Sequence, residues 1–210
     1  KQDIWNVTQT VDSWDASTDQ NYGAAVAFLN GGDYMLSSAN AENTGKVFVY
    51  IKDSNGQYQE LTSITRSDSG LSGFGSVLTA SNSDYFAIGS PDSNTNTGYV
   101  HIYKIDTALG TVALVGSAKT GPSTSSDFGR SLSFSKDGLW LYVGAPGVNR
   151  VYVYGRSGTT FYQVGTYITA ADASAGDKFG WSVSASTDGA QVLIGSPFND
   201  TGATDSGAVY

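Results

Sequence analysis

A single histidine, His101, and no cysteine leave this chain few groups for general-base or nucleophilic chemistry at neutral pH. His101 stands in the alternating run Val100-His101-Ile102-Tyr103, at the position that Phe48 and Tyr152 hold in similar runs, so packing within a strand is its expected role. A glycosidase-type mechanism would need two facing carboxylates. The 19 Asp and Glu include acidic loops around Asp12, Asp15 and Asp19 and around Asp200 and Asp205, which read as solvated surface, and no pair stands out. No catalytic residue is assigned, and the chain is expected not to be an enzyme. An aromatic face can also cover the apolar face of a sugar. Of Trp5, Trp14, Trp140 and Trp181, the ligand-stacking candidate is Trp14, in the polar loop Asp12-Ser13-Trp14-Asp15, while Trp140 and Trp181 are expected to fill gaps between sheets. Two sequons, Asn6-Val7-Thr8 and Asn199-Asp200-Thr201, make Asn6 and Asn199 glycosylation candidates and fit an extracellular protein.

Short strands joined by tight turns must position these residues. Charged residues are 14% of the chain, and 26 glycines and 13 tyrosines stand beside many Ser, Thr, Asn and Asp. Long helices draw on Lys, Arg, Glu, Ala and Leu for their exposed faces, and with only 11 Lys and Arg almost no helix is expected. The net charge of −8 opposes binding to phosphate backbones, so nucleic acid is not an expected partner. No apolar run approaches the roughly 20 residues that span a bilayer, and membrane insertion is not expected.

The chain repeats itself. Tyr22-Gly23, Phe74-Gly75, Phe128-Gly129 and Phe179-Gly180 open four copies at spacings of 52, 54 and 51 residues. Each pair precedes a period-2 stretch such as Ser131-Leu132-Ser133-Phe134, then a turn such as Ser135-Lys136-Asp137-Gly138 or Ser186-Thr187-Asp188-Gly189. A second, more continuously apolar strand ends in Ile88-Gly89-Ser90-Pro91, Val143-Gly144-Ala145-Pro146 or Ile194-Gly195-Ser196-Pro197, which degrades to Leu36-Ser37-Ser38-Ala39 in the first copy. The third strand follows as Val47-Phe48-Val49-Tyr50, Val100-His101-Ile102-Tyr103 or Val151-Tyr152-Val153-Tyr154, and a weaker fourth closes the unit. Four antiparallel strands make one propeller blade, and a blade cannot bury both faces alone.

This order of motifs over the whole chain resembles the FG-GAP repeat of propellers such as the head of integrin α chains. The resemblance implies an all-β propeller of four four-stranded antiparallel blades in one domain over residues 1–210. It also raises calcium, which some FG-GAP blades bind through alternating Asp. Here the matching loops, Asn30-Gly31-Gly32-Asp33, Asn82-Ser83-Asp84 and the two turns quoted above, hold at most one carboxylate each, so turn chemistry is expected and no cofactor is assigned.

The fourth copy stops at Gly207-Ala208-Val209-Tyr210, inside its third strand, and residues 1–11 read as an orphan outer strand. Trp5 precedes Tyr22 by 17 residues, as Tyr162 precedes Phe179. Ile4, Trp5 and Val7 are therefore expected to pair beside Val209 and Tyr210, either closing the ring of the same chain or completing the last blade of a neighbour. A third arrangement makes the chain part of a larger propeller. The expected role is a secreted or cell-surface structural and adhesive module, self-associating by strand complementation and extending to a filament. The alternative is a lectin-like or integrin-like propeller with a glycan or protein ligand.

Overall fold

The computed structural model describes residues 9–12, 21–40, 45–66 and 72–210. Within them the chain is all-β, and its helical turns are limited to Asn30–Gly32, Ser93–Asn96 and Pro146–Val148. None is long and apolar enough to cross a membrane.

The first blade is built from β1 (Tyr22–Leu29), β2 (Tyr34–Ala39), β3 (Lys46–Lys52) and β4 (Tyr58–Thr65), each antiparallel to the next. The second uses β5 (Val77–Ala80), β6 (Tyr85–Ser90), β7 (Tyr99–Asp106) and β8 (Thr111–Leu114), with β9 (Lys119–Thr120) continuing the pairing along β7. The third holds β10 (Ser131–Phe134), β11 (Trp140–Ala145), β12 (Arg150–Ser157) and β13 (Thr160–Gln163). The fourth has, among the described residues, three strands, β14 (Ser182–Ala185), β15 (Val192–Ser196) and β16 (Ala208–Val209).

The hairpin turns follow from their residue types. In the third blade Ser135 Oγ donates to Asp137 Oδ1 at 2.6 Å, and the same carboxylate oxygen accepts from the Leu139 amide at 2.9 Å. Ser186, Asp188 and Ala190 repeat the arrangement, and these hydrogen bonds hold Asp188 below the usual carboxylate range. These carboxylates thus serve their own turns. Among the described residues no group of three His, Cys, Asp or Glu could hold a metal.

Residues directly opposite one another in an antiparallel pair project to the same face. Each blade therefore has a leading face, toward the blade before it, and a trailing face, toward the blade after it. Leu36, Val47 and Val49 on the trailing face of the first blade meet Phe86, Ile88 and Tyr103 on the leading face of the second. Ala87, Val100 and Ile102 meet Leu132, Leu141 and Val143 in the next interface, and Tyr142 and Val151 meet Phe179 and Ile194 in the last.

The aromatic that opens each repeat seals its own blade's leading face. Tyr22 stands edge-on to Phe48 at 5.4 Å, Phe74 to His101 at 5.6 Å, Phe128 to Tyr152 at 5.5 Å and Phe179 to Tyr210 at 5.3 Å. The second ring of each pair follows a valine in the third strand, so His101, 1% exposed, fills an aromatic position in the blade interior.

Candidate functional site

The glycines of the repeat show how one blade meets the next. A Cβ on Gly89 would lie 2.5 Å from the carbonyl oxygen of Gly129, and one on Gly144 would lie 2.1 Å from that of Gly180. The glycine before the Ser-Pro or Ala-Pro corner of one blade thus touches the aromatic-glycine turn of its successor. Ser131 Oγ adds a hydrogen bond to the Gly180 carbonyl at 2.7 Å. No side chain fits between these backbones, which is why the two glycines recur together.

The same geometry exposes the two ends. Gly23 opens the first repeat, and a Cβ there would meet nothing within 4 Å among the described residues. Gly195 ends the corner of the fourth blade, and among the described residues a Cβ there would meet only Ser182 of its own blade. Each end therefore presents half of an interface that is complete three times elsewhere. On the first blade's leading face Val26 and Phe28 are 66% and 62% exposed, beside the buried Phe48 and Tyr50. On the fourth blade's trailing face Leu193 and Val209 are 63% and 75% exposed, flanked by Ser182 and Ser184.

Strand pairing is also open at this end. β16 pairs with β15, and the Tyr210 and Ile194 backbones exchange hydrogen bonds at 2.9 and 3.0 Å. Its outer edge, where β4, β8 and β13 stand in the other blades, has no strand partner among the described residues. Val209 and Tyr210 thus border an open edge, while Ile4, Trp5 and Val7 lie outside the described residues, as do Asn6 and Trp14. Of residues 1–11, Gln9 and Val11 rest on the first blade. The Gln9 amide exchanges hydrogen bonds with the Tyr58 backbone at 2.8 and 2.9 Å, and Val11 packs on the Phe48 and Tyr50 cluster.

Asn199, in the second sequon, is 2% exposed, and its side chain ties the last loop together. Its amide nitrogen donates to Asp177 Oδ2 at 3.0 Å and to the Tyr210 hydroxyl at 3.3 Å, and its Oδ1 accepts from the Thr201 amide at 3.0 Å. Trp181 departs from expectation, since it lies partly exposed beneath Arg130, whose guanidinium stands 4.7 Å from the ring centre. Trp140 does pack between the third and fourth blades.

Asp172 accepts from the Tyr210 hydroxyl at 2.8 Å and from Thr201 Oγ1 at 3.0 Å, and these bonds hold its carboxyl below the usual range. A depressed carboxylate contributes stability that is complete above its ordinary pKa and is lost as pH falls through the lower, folded value. Acidification below about pH 4 is therefore expected to loosen the end of the fourth blade. Hydrogen-exchange protection at the Ile194 and Tyr210 amides checks this, and Asp172→Asn should remove the acid-dependent part of the loss.

An FG-GAP repeat model matches residues 165–210, the span of the fourth blade. No curated protein matches the chain. Among solved structures, a Bacteroides uniformis protein named a "putative 6-phosphogluconolactonase" is similar with a TM-score of 0.62 at 12% identity, over 87% of this chain and 55% of that one. A Lactobacillus plantarum protein is similar with a TM-score of 0.60 at 18% identity, over 87% and 49% of the two chains. The β-propeller domain of Myceliophteria thermophila Cps50 (Swd1) has a TM-score of 0.52 at 9% identity, over 81% and 48%. The chain spans about half the length of the solved propellers it matches. At these identities the likeness shows the fold alone, that of a β-propeller, and the FG-GAP match lies at its fourth blade.

The expectation that the chain is not an enzyme is corrected by the same likeness, because the fold is shared with a protein that carries a lactonase name. That expectation rested on a single histidine, on the absence of cysteine and on the lack of an evident carboxylate pair. Side chains gathered from separate blades need not be neighbours in the sequence, so the sequence offers no ground for excluding catalysis.

Proposed function

We propose that this chain is a structural and adhesive propeller module that works through its exposed sheet faces, its open strand edge and its loops. The occupant of the two open faces is a second copy of the chain, stacked head to tail so that the leading face of one first blade meets the trailing face of another fourth blade. The observation that carries this reading is the pair of half-interfaces at Gly23 and Gly195, each lacking, among the described residues, the neighbour that its counterparts have. The faces have the apolar character that such stacking needs, and the contact is heterologous, so it propagates unless it closes. Strand donation by Ile4, Trp5 and Val7 to the free edge of β16 belongs to the same proposal. The FG-GAP resemblance supports an extracellular setting.

Blocking each end separately tests it. Phe28→Lys and Leu193→Lys place a charge on opposite faces, and each variant alone should sediment as a monomer while the parent chain forms larger species. An equimolar mixture of the two should give a dimer, because each retains the face that the other lacks. A parent chain that stays monomeric at high concentration, or a mixture that yields no dimer, overturns the reading. Removal of residues 1–11 should weaken association if that segment donates a strand.

A further inference from the structure

A second feature lies inside the array, away from both open ends. The outer strands of the second and third blades flank a cavity of about 300 Å³, lined by Ala113, Leu114, Val115 and Phe161, by Thr159 and Thr160, and by the two lysines Lys104 and Lys119. We propose that this cleft is a binding site for a small organic carboxylate, with the apolar walls receiving its hydrocarbon part and the two ammonium groups its charge.

The charge distribution carries the argument. The chain has 19 acidic residues against 11 Lys and Arg, yet three of those cations gather at this one interface. Lys104 Nζ lies 5.9 Å and the Arg156 guanidinium 4.4 Å from the centre of the Tyr85 ring, and Lys119 Nζ lies 5.7 Å from that of Tyr154. No acidic side chain among the described residues lines the cleft. Among the described residues, the ion pair found is Lys178 with Asp127, at 3.7 Å, and it involves none of the three.

Lys119 donates to the carbonyl oxygen of Phe161, another residue of the lining, at 3.1 Å, and this neutral acceptor supplies no counter-charge. Burial lowers the pKa of Lys119, as expected for an ammonium with no counter-charge. An anion seated beside it would supply that charge through charge-assisted hydrogen bonds, which are the stronger kind. Ala113, Leu114, Val115 and Phe161 give the cleft its apolar walls and Thr159 and Thr160 add two hydroxyls, and a concave, mostly apolar site with a few convergent polar groups is the usual form of a small-molecule pocket.

Benzoate serves as the probe, with benzamide as its neutral counterpart and inorganic phosphate as an anion without an apolar part. Titration followed by amide chemical shifts should show benzoate moving Ala113, Leu114, Val115 and Phe161 saturably, with benzamide and phosphate at least tenfold weaker. Lys104→Gln and Lys119→Gln should each weaken benzoate at least tenfold, while Lys52→Gln, on the first blade, should leave it unchanged. Lys119→Arg keeps the charge and should retain binding, and thermal melts of all variants separate lost binding from lost folding. Bound benzoate should also raise the pKa of Lys119, read from its side-chain resonances. Equal binding of benzamide shows an apolar cavity only, equal binding of phosphate shows charge attraction only, and an unchanged affinity in folded Gln variants removes the lysines from the site. Any of these results, or the absence of saturable shifts, overturns the proposal.

Discussion

Replacing Phe128 with alanine is expected to destabilise the protein by about 3–5 kcal/mol, the range found when a fully buried phenylalanine is truncated in a packed core. Phe128 is 1% exposed and lies in the cluster that joins the second and third blades, edge-on to Tyr152 at 5.5 Å. Its removal leaves a void between two sheets whose own hydrogen bonds hold them rigid, so the site has little means of collapsing. Neighbouring blades stabilise each other through shared interfaces, and the loss should spread to both. Urea denaturation measures the change, and hydrogen exchange in β6, β7, β11 and β12 should show where it falls. Phe28→Ala, on the open leading face, provides the contrast. That side chain is 62% exposed, and its truncation should stay within about 0.5 kcal/mol in the monomer.

The second large effect is expected at Gly144. A methyl group there would stand 2.1 Å from the Gly180 carbonyl oxygen and 2.2 Å from Ser131 Oγ, so Gly144→Ala must push the fourth blade away from the third. Overpacking of this kind costs about 1–3 kcal/mol, and here it also strains the hydrogen bond from Ser131 to Gly180. The loss should appear first as reduced protection in β14 and β15. Gly195 occupies the same motif position one blade later, and Gly195→Ala meets only the Ser182 hydroxyl at 2.3 Å, a group that can rotate away. It should therefore leave the stability of the monomer nearly unchanged. Its effect belongs to association: if the leading face of a second copy docks there, Gly195→Ala should reduce the sedimenting oligomer as Leu193→Lys does. A Gly195→Ala variant that assembles normally would show that any contact at this face differs from the one between consecutive blades.

Much of the fold was legible in the residues themselves. Alternation in Ser131-Leu132-Ser133-Phe134 and the Ser-Asp-Gly turns depend on contacts within a few residues, and the resulting hairpins match the sequence reading. The repeat also identified the role of His101, because its position coincides with Phe48 and Tyr152 and the packing of one copy constrains the others.

What the sequence determined by itself was the blade: its strand order, its turns and the aromatic-glycine pair that opens every copy. Only the tertiary structure decided which of those residues face solvent. Asn199 lies in a polar loop that local rules place at the surface, yet Asp177 and Tyr210, 22 and 11 residues away, bury it. Lys104, Lys119 and Phe161 share no motif and meet because two blades place their outer strands side by side. The exposed states of Val26, Phe28, Leu193 and Val209 have the same origin, since each belongs to a face that is apolar by pattern and becomes buried only where another blade covers it. Strand periodicity and turn chemistry are short-range and can be read along the chain. Burial and the meeting of charges across an interface depend on which surfaces are brought together, and no local pattern encodes that.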